Sequence, residues 1–272
     1  MKLKPVVFTD LDGTLLDLET YSYDGALPSI EYLRSQNVPI IFCSVKTKAE
    51  QEVYRKELQI KDPFIVENGG AIFISQGYFP FDFEYHKATD GYLVIELGIP
   101  YHQIRKILAQ IMVDTGVHFR GFGDMSAEEV ASLTNLDLEA AQRAKAREYD
   151  ETLNLEVTPE ELNRFSNELK KTGLNYTSGS RYHDVSGPND KGKATRILID
   201  LFNRKSGPIK TIGIGDSPND LPMLSAVDIP ILVQKPRGTW EEIDIPHLRR
   251  AEGIGPEGWA RAVEEILEHG VA

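Results

Sequence analysis

The sequence predicts an α/β protein: a doubly wound, mostly parallel sheet of Rossmann-like type with an inserted α+β cap domain. Three observations lead there. Short apolar runs recur at Pro5–Phe8, Val38–Phe42, Pro63–Val66, Ile209–Ile214 and Ile229–Val233, several of them β-branched, as expected of buried parallel strands. Helical stretches lie between them, the clearest being Ala194, Ile197, Leu198, Leu201 and Phe202, which share one face. From about Asp82 to Val185 the alternation gives way to two amphipathic helices among polar-flanked strands.

In that middle portion Ile104, Ile107, Leu108, Ile111 and Met112 make one apolar helical face. A second helix opens at Thr158-Pro159-Glu160-Glu161, where Thr158 can cap, Pro159 suits the first turn and Glu161 completes a capping box. Leu162, Phe165 and Leu169 supply its buried stripe. The α/β pattern resumes after Gly187, so residues 1–81 and 186–272 are assigned to one core and 82–185 to the insertion. A chain of 272 residues is long enough for both. Ligands of such a sheet bind beyond the carboxyl ends of its strands.

Lys and Arg total 30 against 42 Asp and Glu, a net charge of -12 that repels nucleic acid and anionic membrane surfaces. An anionic substrate then needs a locally basic pocket. Cys43 is the only cysteine, so no intramolecular disulfide forms, and its apolar neighbours make it a buried strand residue. No apolar run approaches the roughly 20 residues that span a bilayer. The start MKLKPVVF lacks the features of a signal peptide, and a cytoplasmic protein is expected. His86, His102, His118, His183, His247 and His269 show no zinc-ligand spacing.

Four pieces carry chemistry. The first strand ends in Thr9-Asp10-Leu11-Asp12-Gly13-Thr14, and paired carboxylates after a buried strand are costly unless a cation or a reaction uses them. Asp10 can attack phosphorus while Asp12 serves as acid and then base; a plain turn at Asp12-Gly13 is the alternative. Ser44 follows a strand and can hold a phosphate oxygen or cap a helix, a role Thr47 fills equally well. Lys191, at the start of a helix, sits where a bound anion would explain it, although a solvated lysine reads the same way. In Gly213-Ile214-Gly215-Asp216-Ser217-Pro218-Asn219-Asp220, Asp216 and Asp220 join Asp10 in a hard oxygen set suited to Mg²⁺.

Together, in this order and at these strand ends, the four pieces resemble the motifs of the haloacid dehalogenase superfamily, and the insertion resembles the cap of its sugar-phosphatase branch. The resemblance implies a phosphatase core with Asp10 as nucleophile, Asp12 as acid and base, and Ser44 and Lys191 as phosphate ligands. It also implies Mg²⁺ held by Asp10, Asp216 and the Asp12 carbonyl, with Asp220 in support. CSVKT at Cys43–Thr47, ENGGAI at Glu67–Ile72, REYDE at Arg147–Glu151 and GPEGW at Gly255–Trp259 are similar to the branch that dephosphorylates mannosyl-3-phosphoglycerate. That similarity implies substrate contacts from Lys46, Thr47, Glu67, Asn68, Gly69, Gly70, Arg147, Arg181 and His183. Ser180 stands where that branch usually has a second glycine.

A glycosylated phosphoglycerate carries a carboxylate besides its phosphate, which arginines at positions 147 and 181 can meet bidentately. Pairing of either with Glu148 or Asp184 remains open at this point, as does a simple reversal at Glu67–Gly70. The partner expected is a small phosphorylated sugar acid, with no nucleic acid and no membrane. A phosphatase of another sugar phosphate or of glucosyl-3-phosphoglycerate, a phosphomutase and a non-catalytic phospho-sugar binder stay as alternatives.

Overall fold

The computed structural model describes residues 3–178 and 182–268. In chain order the first half runs β1 (Lys4–Thr9), α1 (Leu27–Ser35), β2 (Ile40–Phe42), α2 (Lys48–Glu57), β3 (Phe64–Val66), β4 (Ala71–Ser75), β5 (Lys87–Thr89), β6 (Tyr92–Glu96) and α3 (Tyr101–Thr115). There follow β7 (Arg120–Gly121), α4 (Ala127–Thr134), α5 (Leu138–Ala144), β8 (Asp150–Asn154), α6 (Pro159–Thr172), β9 (Asn175–Ser178) and β10 (His183–Ser186). The last portion holds α7 (Lys191–Ser206), β11 (Ile209–Gly215), α8 (Leu221–Leu224), β12 (Ile229–Gln234), β13 (Arg249–Ile254) and α9 (Pro256–Glu268).

The main sheet has the order β13-β12-β11-β1-β2, and every pairing in it is parallel. Alternation along the strands feeds two cores. Val7, Ile40, Phe42, Ile212, Ile214, Ile229 and Ile231 face α1 and α9, where Ile30, Leu33, Trp259 and Val263 pack. Val6, Phe8, Ile41, Cys43 and Leu232 face α7 and α8, meeting Ala194, Leu198, Leu201, Phe202, Met223 and Leu224. Burial on both faces is why these strands are apolar throughout rather than alternating.

Two antiparallel sheets flank this core. One has the order β3-β4-β6-β5. The run at Pro63–Val66, expected as a parallel strand, belongs mainly there: β3 pairs antiparallel with β4 and meets the main sheet by a single parallel bridge, Cys43 to Ile65. An apolar run reports burial, not the direction of its neighbour. The turn Glu67–Gly70 is the reversal between β3 and β4. The other sheet has the order β7-β8-β10-β9, with α3 and α6 over one face. Ile104, Leu108, Ile111, Phe165 and Leu169 seal it against Leu153 and Val185, and Thr158 and Glu161 form the capping box expected at α6.

Candidate active site

β1 lies between β11 and β2, so the residues that follow these three strands converge at one end of the sheet. Asp10 follows β1, Asp216 follows β11, and Ser44 lies two residues beyond β2. Gly13, at φ +80°, turns the chain back beside Asp216, and a Cβ there would lie 3.0 Å from Asp216 Oδ2. Thr14 then donates its hydroxyl to Asp216 Oδ1 at 2.9 Å. The buried Trp259 indole donates to Thr9 Oγ1 at 2.9 Å, and Thr9 in turn donates to the Asp10 carbonyl at 2.7 Å, fixing the backbone under the first carboxylate.

Lys191, the first residue of α7, is fully buried. Its ammonium lies 2.6 Å from Asp10 Oδ1 and 2.7 Å from Asp220 Oδ1. Asp220 also ties its own loop together by accepting the N–H of Asp216 at 3.0 Å and of Ser217 at 3.1 Å. Asp10, Asp216 and Asp220 bring carboxylate oxygens within 4.8 Å of one another. Burial pushes the Asp10 carboxyl up to about 7, with Asp220 and Asp12 adding to the rise and Lys191 opposing it. Burial, Asp220 and Asp10 likewise raise Asp216 well above the usual carboxylate range. One lysine does not neutralise three crowded carboxylates, and an oxygen-only donor set of this kind fits a hard divalent cation. Burial also raises the Cys43 thiol to about 12, so it is a packed thiol and no nucleophile.

The Asp12 carboxylate stands apart from that triad. Its Oδ1 lies 3.0 Å from Lys46 Nζ, which is also 3.5 Å from Glu50. Burial disfavours the Lys46 ammonium, but Asp12 and Glu50 outweigh it and raise its pKa. Ser44 is buried and does not cap α2; its Oγ accepts from Lys46 N at 3.2 Å. Thr47 is the cap, bonded to Glu50 N, and its hydroxyl also donates to the Arg143 carbonyl at 2.9 Å.

A cavity of 170 Å³ opens beside Asp12 and Lys46, lined across the gap by Arg147, Thr152 and Asp184, with Tyr21, Phe122 and Tyr182 around it. Arg147 is buried rather than a free surface charge. Its Nη1 bonds Asp150 and the Val45 carbonyl, while its Nε has no hydrogen-bond partner. His183 is not brought to this cavity. On β10 it shares the face of Val185, stacks on the Tyr176 ring at 5.3 Å and meets the Tyr176 hydroxyl through Nδ1, while its neighbour Asp184 points the other way. Glu67 does not line the cavity either: its carboxylate accepts the N–H groups of Glu148, Tyr149 and Asp150. Asn68 accepts from Asn219 at 3.4 Å, and Gly69 and Gly70 pack tightly against Asp190 and Tyr149. Arg181 lies outside the described residues.

Asp184 and Thr152, joined by a 2.8 Å hydrogen bond, are cavity residues that motif reading passes over. The apolar Val185 is the available signal, since it fixes which residues of β10 face the helices and which face the cavity.

Comparisons with known proteins identify the family. A family described as haloacid dehalogenase-like hydrolase matches residues 7–236. A glucosyl-3-phosphoglycerate/mannosyl-3-phosphoglycerate phosphatase of Methanococcoides burtonii is 47% identical over 266 residues, 97% of this chain and 98% of the relative. A mannosyl-3-phosphoglycerate phosphatase of Pyrococcus horikoshii is 42% identical over 228 residues, 84% of this chain and 90% of the relative. Among solved structures, a haloalkanoate-superfamily phosphatase of Bacteroides thetaiotaomicron shares the fold at a TM-score of 0.68 and 15% identity, covering 99% of this chain and 96% of that one. With a family match spanning most of its length and relatives this similar across nearly all of it, the chain belongs to the haloacid dehalogenase-like hydrolases.

Proposed function

We propose that this enzyme hydrolyses mannosyl-3-phosphoglycerate to mannosylglycerate and phosphate through a phospho-aspartyl intermediate on Asp10. The buried Asp10–Lys191–Asp220 arrangement beside Asp216 carries the phosphatase chemistry, and the names of the relatives at 42–47% identity carry the substrate. The Methanococcoides relative is named for the glucosyl substrate as well, which favours glucosyl-3-phosphoglycerate as a second one.

In the first step an Asp10 oxygen bonds to phosphorus and the ester oxygen leaves, taking a proton from Asp12. Asp12 then removes a proton from the attacking water, whose oxygen bonds to phosphorus as the bond to Asp10 breaks. Lys191 and the Ser44 hydroxyl hold phosphate oxygens, and Lys46 orients Asp12. Asp10, Asp216, Asp220 and the Asp12 carbonyl would hold Mg²⁺, which when bound screens the carboxylates from the incoming phosphate.

The cap comprises the part of 82–185 that follows β6, because β5 and β6 are hydrogen-bonded into the sheet of β4. Its β8–β10 face supplies Thr152 and Asp184 to the cavity, and the Arg147 guanidinium, with its free Nε, reads the sugar-acid portion. No described helix is long and apolar enough to cross a membrane.

Phosphate release across a panel of sugar phosphates and glycosyl-phosphoglycerates tests this reading. We expect the two glycosyl-3-phosphoglycerates to lead the panel, with activity lost to a chelator and restored by Mg²⁺. Equal turnover of simple hexose phosphates would remove the narrow substrate assignment, and full activity after exhaustive chelation would remove the metal.

A further inference from the structure

Glu67 is a fully buried acid whose carboxylate takes its hydrogen bonds from main-chain N–H groups. Oε2 accepts from Tyr149 N at 2.6 Å, Glu148 N at 3.0 Å and Asp150 N at 3.0 Å, and Oε1 is 3.1 Å from Glu148 N. Burial raises the Glu67 carboxyl, and the Arg147 charge and three consecutive main-chain N–H groups aimed at it oppose that rise and favour its ionised form. The donors lie 81 to 83 residues away in sequence, at the entry to β8.

The turn that presents Glu67 is held from the opposite side. Glu67 and Asn68, at φ +49° and +53°, are both left-handed without being glycine, and Gly69 follows at +88°. Such a run persists only where its surroundings over-determine it. Here Glu67 N donates to the Lys46 carbonyl at 3.2 Å and Asn68 N to the Ser44 carbonyl at 3.1 Å. Asn189 donates to the carbonyls of Glu67 and Asn68. A Cβ on Gly69 would lie 2.2 Å from the Asp190 carbonyl, so the turn rests against the start of α7, where Lys191 stands.

We infer that Glu67 is a positioning residue that latches the cap segment Glu148–Asp150 onto the loops carrying Ser44, Lys46 and Lys191, and does not contact the substrate. Its effect passes through Arg147. That residue immediately precedes the latched amides, and its guanidinium reaches the Val45 carbonyl between Ser44 and Lys46. Holding Glu148–Asp150 therefore fixes where Arg147 and the β8 residue Thr152 stand relative to Asp12. The kinetic part of this inference rests on the proposed substrate; the latch itself does not.

Amide hydrogen exchange on the full chain tests the latch without any substrate. Glu67→Ala should speed exchange at Glu148, Tyr149 and Asp150 by at least about tenfold while the amides of α3 stay as in the parent. Glu67→Gln should retain most of the protection, because its amide oxygen still accepts from Tyr149 and Asp150. Glu67→Gly relieves the left-handed backbone but also lacks the carboxylate, so it should exchange like Glu67→Ala and separates latch loss from strain. In kinetics, kcat/KM for mannosyl-3-phosphoglycerate should fall at least about tenfold more than for a small aryl phosphate in the alanine and glycine variants, and largely recover in Glu67→Gln. Unchanged exchange at Glu148–Asp150 in both the alanine and glycine variants would overturn the latch. Faster exchange with equal losses on the two phosphates would overturn its positioning role. If the parent rejects mannosyl-3-phosphoglycerate, the exchange result still decides the latch while the substrate assignment fails separately.

Discussion

Asp10→Asn should fold like the parent and lose turnover by on the order of 10⁴-fold or more, because the amide neither attacks phosphorus nor carries the charge that the site is built around. The position tolerates the change structurally. An asparagine is nearly isosteric, its amide oxygen still accepts from Lys191 Nζ, and one carboxylate fewer lies within 4.8 Å of Asp216 and Asp220. Burial already pushes Asp10 up to about 7, so replacing it with a neutral group does not remove a strongly favoured charge from the core. Circular dichroism and denaturant unfolding should match the parent while phosphate release disappears. Substantial residual release would remove Asp10 from the mechanism.

Lys191→Met should do damage of a different kind, to stability as well as to activity. The parent ammonium is fully buried between Asp10 and Asp220, at 2.6 and 2.7 Å. Removing it leaves a methionine of similar length facing three buried carboxylates, and breaking a buried pair at one partner costs about 3–5 kcal/mol. In chelator-treated protein the urea midpoint should drop accordingly, and added divalent cation should recover part of the loss by binding the same carboxylates. Turnover should vanish with and without cation, since the phosphate loses its fixed cationic ligand. A variant as stable as the parent would mean that Lys191 does not compensate the carboxylates.

Much of this arrangement is written locally in the chain. β1, β2, β11 and β12 are buried on both faces, so their apolar runs stand out, and the residues following β1 and β11 are the acids that converge. β13 is not legible in the same way, because an edge strand reading Arg-Arg-Ala-Glu-Gly-Ile buries little beyond Ala251. The short helices α4 and α5 escape a reading based on apolar periodicity, although Ser126 with Glu129 and Asp137 mark their starts. Boundaries also shift: the apolar run begins at Val38, but the strand begins only at Ile40, where pairing with Val7 of β1 starts.

Side-chain destinations are harder to read. ENGGAI points to a special turn, but nothing within it says that Glu67 reaches amides more than eighty residues away. His183 and Asp184 are adjacent and both polar; alternation from the buried Val185 sends them to opposite faces, but that the cavity lies on the Asp184 face is visible only once the sheet is assembled. The sequence presents Arg147 as a charge open to a ligand, whereas Asp150, three residues on, already takes one of its donors.

The most direct measurement is to locate the covalent intermediate. In Asp12→Asn, an aryl phosphate needs little protonation of its leaving group, so Asp10 should still be phosphorylated, while hydrolysis of the acyl phosphate lacks its base and slows. Acid quenching followed by borohydride reduction converts an aspartyl phosphate to homoserine, which peptide mass spectrometry places by residue. A nucleophilic Asp10 predicts homoserine at position 10, dependent on substrate and absent from Asp10→Asn. Modification at another residue, or continuing phosphate release with none at position 10, would contradict it.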